Sequence, residues 1–177
     1  MNDLLIHRIR VRANVRDTQT DAGDSNQPAI SPVLSQVALH ESEEMLGFPI
    51  PSLLAEVYAK VGNGGFGPGY GLLGLVGGAV DDQGCNAIAQ YSNYIQADPS
   101  DPSWRWPLGL LPICHWGCAI YSCVDVSVDQ NPVVAFDPNL YEDSWSRCFL
   151  PHNRNLEQWL VAWASGVNLW KELYEEQ

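Results

Sequence analysis

The stretch from Asn155 to Tyr174, "NLEQWLVAWASGVNLWKELY", constrains the fold most. Leu156, Trp159, Leu160, Trp163, Val167, Trp170 and Tyr174 recur at steps of three and four, the spacing of one helical face. Asn155 and Gln158 stand where a capping box would start that helix. Burying one indole is worth a few kcal/mol, so a stripe of Trp159, Trp163 and Trp170 calls for a broad apolar surface such as a sheet. A chain of 177 residues with 46% hydrophobic content has the material to build that surface in one domain.

Strand candidates are present. "LGLLPIC", "CAIYSCVDV" and "PVVAFD" read as three strands joined by turns at His115 to Gly117 and Asp129 to Asn131, and Leu72 to Val76 reads as another. Helices are expected from Leu34 to Leu46, from Pro51 to Val61 and in "CNAIAQYSNYIQAD", where Ile88, Tyr91, Tyr94 and Ile95 share a face. "DPSDPSWRWP" is a loop because its prolines exclude regular structure, and Pro138 to Asn153 is a connection. This order predicts an α+β fold, a central mainly antiparallel sheet with helices packed against it in a single domain. At the start, "LLIHRIRVR" alternates, with Leu5, His7, Ile9 and Val11 opposite Arg8, Arg10 and Arg12, which predicts a half-exposed basic strand. Residues 17–32 are polar and turn-rich. We therefore divide the chain into an N-terminal extension, 1–33, and a main domain, 34–177.

Residues 61–70, "VGNGGFGPGY", contain a literal G-x-G-x-x-G from Gly62 to Gly67. A phosphate cradle needs a strand before the glycines and a helix N-terminus after them. Here a helix comes first, with Leu53, Leu54, Val57, Tyr58 and Val61 on one face, Pro51 in its first turn and Gly62 as the left-handed residue past its end. The run is read as a helix-to-strand turn whose glycines take positive φ. Phe66 and Tyr70 plug into the core or its rim, and no cofactor is expected.

The formal charge is −12, and residues 1–20 carry +2 through Arg8, Arg10, Arg12 and Arg16 against Asp3 and Asp17, so the remainder carries −14. A field of that sign disfavours nucleic acid and anionic membranes and steers basic partners in. With no run of eighteen apolar residues and no signal-peptide pattern, a cytoplasmic protein with reduced thiols is expected. Cys114, His115, Cys118 and Cys123 lie close together, but their gaps do not match a zinc knuckle, and no metal is expected. His7, His40 and His152 are the remaining candidates for a general base, and no nucleophile elbow, HExxH or paired-carboxylate pattern accompanies them, so no catalytic residue is assigned. Asp81, Asp82, Asp98, Asp101, Asp125, Asp129, Asp137, Glu142 and Asp143 fall at strand ends and loops, where they could form a charged rim.

Several segments together resemble the Smi/Knr-type branch of the SUKH superfamily. "EEMLGFPIPSLLAEVYAKVGNGGFGPGYGLLGL" is similar to its opening, "WPLGLLPICHWGCAIYSCVDVSVDQNPVVAFDP" to its strands and "LEQWLVAWASG" to its closing helix. Gly64, Gly65, Phe66 and Trp116-Gly117-Cys118 match its signature. The resemblance implies a non-catalytic protein-binding domain: in bacteria an immunity protein that neutralises a cognate toxin, often a nuclease, in polymorphic or contact-dependent toxin systems, and in fungi a regulator of cell-wall synthesis. The partner expected from this and from the charge is a basic toxin domain, met by a monomer or weak homodimer. The partner-binding candidates are Asp81, Asp82, Glu142, Asp143, Phe66 and Tyr70. The alternatives are a regulatory interaction module without a toxin, or a small-ligand binder or hydrolase.

Overall fold

The computed structural model describes residues 2–15 and 29–175. Among them lie six α-helices: α1 (Asn2–Ala13), α2 (Gln36–Leu46), α3 (Ser52–Lys60), α4 (Ala87–Tyr94), α5 (Leu156–Ala164) and α6 (Leu169–Glu175). The strands β1 (Leu110–Gly117), β2 (Ile120–Asp125), β3 (Pro132–Phe136) and β4 (Phe149–Asn155) form one antiparallel sheet in the order β1-β2-β3-β4. This is an α+β domain.

Local chemistry sets the helix ends. The Ser35 hydroxyl accepts from Ala38 N at 3.1 Å to start α2, and Gly47, at φ +78°, ends it by donating its N–H to Glu43 O. Asn86 caps α4 by accepting from Ala89 N. The Asn155 and Gln158 side chains form the expected capping box on α5.

Strand alternation sorts the sheet into two faces. His115, Tyr121, Phe136 and Phe149 are register partners across all four strands and share one face. Tyr94 of α4 and Trp106 cover it, with ring centroids 5.3 and 5.0 Å from Phe136. The other face carries Trp116, Ser122 and His152, and there Trp159 of α5 meets His152 and Trp170 of α6 meets Trp116. Pro151 lies on the edge strand β4, where a missing N–H is tolerated.

Several expectations are corrected. The basic N-terminal strand is the helix α1: Leu5, Ile6 and Ile9 are buried while Val11 is exposed, a helical stripe hidden inside an apparent alternation. α1 packs along α5 and α3, with Arg8 Nη2 donating to Ser165 Oγ, Arg10 Nη2 to Lys60 O and the Arg12 guanidinium 6.0 Å from the Trp163 ring. Most of the 17–32 linker lies outside the described residues. Its end is fastened down, since Ser31 N donates to Gly64 O and Asn63 N to Pro32 O.

Leu72 to Val76 makes only an isolated bridge, Leu72 to Cys114. Leu73 N donates to Ile113 O of β1, but the amides on either side turn away, Leu72 N to Phe66 O and Gly74 N to Ala79 O, so no ladder propagates along β1. β1 runs through His115 and Trp116 to Gly117, and its turn falls at Cys118 and Ala119, both at positive φ. The expected connection contains β4 and two 3-10 turns, Pro138–Leu140 and Trp145–Cys148. The closing helix breaks between α5 and α6 at Ser165 and Gly166, with Gly166 at φ +85°.

The glycine run is a buried turn. α3 is capped at Val61, and Gly62 is not left-handed, whereas Gly64, Gly65, Gly67, Gly69 and Gly71 have positive φ. Two neighbours demand the missing side chains: a Cβ at Gly65 would lie 2.2 Å from Ala29 O, and one at Gly69 2.7 Å from His115 O. Asn63 ties the turn together by donating to Val76 O and accepting from Leu75 N at 2.8 Å.

Candidate partner-binding face

From the buried glycine turn a line of rings runs across the end of the sheet. Tyr70 packs on His115 at 5.4 Å, His115 stacks on Tyr121 at 5.0 Å, and Tyr121 meets Tyr94 edge-on at 5.9 Å. Tyr94 contacts Trp104, Trp104 lies 4.6 Å from Trp145, and Trp145 lies 4.5 Å from Tyr141. The glycine turn supplies Tyr70, β1 and β2 supply His115 and Tyr121, α4 supplies Tyr94, the segment between α4 and β1 supplies Trp104, and that between β3 and β4 supplies Tyr141 and Trp145. Tyr70, Tyr94 and Trp145 are half-buried and Tyr141 is 41% exposed. The rings therefore form a ridge whose base is core and whose crest reaches solvent.

Carboxylates stand at both ends. Asp81 Oδ1 accepts from Gln83 N and Cys85 N, and its Oδ2 accepts from the Tyr121 hydroxyl at 2.9 Å. That hydroxyl is held far from ionisation, first by burial and then by neighbouring Tyr94 and Asp81. Asp82 is exposed, 3.8 Å from His115 Nε2. Burial lowers the His115 pKa more than Asp82 and Asp81 raise it, so the ring is neutral near pH 7 and leaves the Asp82 charge uncompensated.

At the far end, Asp101 Oδ2 accepts from Trp145 Nε1 at 2.7 Å and its Oδ1 from the Ser103 hydroxyl and amide. Asp98 holds Ser100 in the same way. These bonds, the serine hydroxyls foremost, lower both carboxyl pKa values and keep the groups ionised. Glu142 pairs with Arg147, and Asp143 is exposed. Arg105 and Arg147 are the basic residues between Val61 and Asn153. Arg105 donates to the Pro102 and Trp104 carbonyls, and Asp81, Asp82, Asp98, Asp101, Glu142 and Asp143 outnumber the two arginines, so the ridge carries net negative charge around its rings.

The sequence candidates thus separate. Tyr70, Asp81 and Asp82 meet at one end of the ridge; Glu142 and Asp143 flank Tyr141 at the other. Phe66 is 2% exposed and packs on Trp163, so it belongs to the core and is not accessible to a partner. Asp137, expected on a rim, is buried and accepts from the Tyr174 hydroxyl. Tyr94, Trp104, Tyr141 and Trp145 were missed. The signal was there in "DPSWRWP" and "YEDSW", where indoles sit beside carboxylates in loops.

Elsewhere, the Ser122 hydroxyl lies 2.8 Å from His152 Nε2 and accepts from Trp116 Nε1, a serine–histidine contact buried beneath Trp116 and Trp159. Burial, with Arg154 nearby, lowers the His152 pKa to about 4. The cleft beside it, between β4 and α6, measures about 210 Å³, below the ~300–1,000 Å³ usual for small-molecule sites. Cys114, Cys123 and Cys148 are buried thiols, and Cys118 is exposed at the β1–β2 turn. Among the described residues no group of three His, Cys, Asp or Glu side chains is arranged to hold a metal, and no helix is long and apolar enough to cross a membrane.

Residues 34–161 match the SMI1/KNR4 family (SUKH-1). No curated protein matches the sequence significantly.

Proposed function

The chain belongs to the SMI1/KNR4 family (SUKH-1), whose members have protein-interaction or immunity-type roles, and from that premise we propose that it is a non-catalytic immunity protein that neutralises a basic toxin domain, a nuclease, in the cytoplasm. The ridge from Tyr70 to Tyr141 carries the reading. It combines the exposed ring of Tyr141 and the half-buried rings of Tyr70, Tyr94 and Trp145, of the side-chain types that most often anchor interfaces, with carboxylates at both ends. A nuclease must be basic to hold its phosphate substrate, so its surface complements this one. A carboxylate-lined ridge speeds encounter through the long-range field, while the rings set how long the complex lasts. Occupying the partner's basic surface would itself exclude nucleic acid.

The test is binding to any toxin domain that a neighbouring reading frame encodes. Tyr141→Ala should weaken binding about 30-fold, the effect of losing a 2 kcal/mol anchor. Asp82→Asn with Asp143→Asn should slow association at low salt and change dissociation little. If both variants bind with wild-type rates, the ridge is not the interface. If no adjacent toxin binds at all, a regulatory interaction module replaces the immunity reading.

A further inference from the structure

Apart from Leu108 and Val33, the most exposed large apolar side chains among the described residues sit on α1 and α2: Val37 at 78%, Leu4 at 69%, Met45 at 62% and Val11 at 57%. Both helices have already used one face inside the domain, α1 through Leu5, Ile6 and Ile9 and α2 through Ser42 and Leu46. The opposite face of a surface helix is ordinarily polar. Here the outward row of α1 reads Leu4, Arg8, Val11, at i, i+4 and i+7, and that of α2 reads Val37, Glu41, Glu44 and Met45, at i, i+4, i+7 and i+8. Each row is apolar, charged, apolar, and the charges are opposite. Laid antiparallel, the two rows bring Leu4 to Met45 and Arg8 to Glu41 at a common step of four residues, and Val11 to Val37 within one residue of that register. Both rows face solvent, so they cannot meet within one chain.

We propose that the occupant of each row is a second copy of this chain, with α1 of one copy seated on α2 of the other. The charge of the parts favours it: α1 carries Arg8, Arg10 and Arg12, three of the seven arginines of a protein that is strongly acidic elsewhere. Arg8 spends one nitrogen on Ser165 Oγ and keeps further N–H groups for a carboxylate. On the acidic row, Glu44 lies 3.4 Å from His40 Nε2, leaving Glu41 as the partner of Arg8. The contact joins two different surfaces. It closes as a dimer if a two-fold axis lets both pairs form at once, and otherwise propagates as a chain. α1 precedes the family-matched residues 34–161 and α2 lies within them, so the association joins the extension of one copy to the shared domain of the other. It does not depend on the immunity reading.

Sedimentation velocity on the full chain tests the proposal. The expected result is a concentration-dependent rise above the 19.6 kDa monomer at low salt, reduced at high salt. Arg8→Glu alone and Glu41→Arg alone should each raise the dissociation constant about tenfold, because each opposes like charges. The double variant Arg8→Glu, Glu41→Arg should regain the wild-type value, as should an equimolar mixture of the two single variants, because both cross-contacts of the mixed dimer then pair opposite charges. A monomer at every concentration up to about 1 mM overturns the proposal, and so does a double variant no tighter than the singles. Glu41→Arg touches only an exposed position, so its result stands even if Arg8→Glu disturbs the Ser165 contact.

Discussion

Three glycine-to-alanine substitutions separate the cost of backbone conformation from the cost of space. Gly47 has φ +78° with nothing within 4 Å of a Cβ, so Gly47→Ala isolates the left-handed penalty, about 1 kcal/mol. Gly62 has an ordinary φ, but its Cβ would lie 2.5 Å from Ile30 Cγ2 and 2.8 Å from Ser31 O, so Gly62→Ala isolates overpacking, about 1–3 kcal/mol. Gly65 combines both, at φ +83° and 2.2 Å from Ala29 O, with a backbone carbonyl that no rotamer change can move aside. Gly65→Ala should therefore cost about 3 kcal/mol and loosen the neighbouring bond from Ser31 N to Gly64 O. Urea unfolding followed by tryptophan fluorescence gives the three values, compared at constant m. In a domain stable by ~5–15 kcal/mol all three variants remain folded. A Gly65→Ala cost no greater than that of Gly47→Ala would refute the close packing of residues 29–31 on the turn.

Trp163→Ala should cost about 3–5 kcal/mol, since the ring is 1% exposed between Phe66 and α1, and calorimetry should show a melting temperature lower by roughly 10 °C. His152 gives a signed pH dependence. Its folded pKa of about 4 lies below the unfolded value of 6.5, so between those values only the unfolded chain takes up the proton. Stability should fall by about 3 kcal/mol as pH drops from 7 to 4, and His152→Gln should flatten that slope in urea titrations across the window.

Elements with a single dominant period were legible in the sequence. α2 and α4 lie where the apolar spacing puts them, and α5 begins at its capping box, because each has a local cap and one buried face. α1 was not, because Leu5, His7, Ile9 and Val11 fit a two-residue period, and Ile6, buried with Leu5 and Ile9, falls on the arginine side of it. Only the docked surface of α5 and α3 decides between the two. β4 was hidden because "FLPHNRN" contains a proline and charge, both of which an edge strand tolerates. The ridge was half legible: its carboxylates and Tyr70 could be named, yet Trp104 and Trp145 come from separate loops that only the fold brings together. The same fold withdraws Phe66, whose place in the glycine turn gave no hint that Trp163 closes over it.

Asn63 and Gly64 form the sequence's one Asn-Gly step, chemically its most perishable bond. In an open chain the glycine amide swings onto the asparagine side chain, expels ammonia and leaves a succinimide that hydrolyses to aspartate or isoaspartate. Here Asn63 Nδ2 is held by Val76 O and its Oδ1 by Leu75 N, while Gly64 N is turned toward Gly62 O. The nucleophile and the carbon it would attack are fastened apart. Ageing at this bond should then proceed only through molecules whose turn has opened, so isoaspartate accumulating at residue 63 counts openings of the domain over weeks in storage. A carboxylate formed there would meet the Val76 carbonyl where an amide N–H had been, and the repaired turn would not close again.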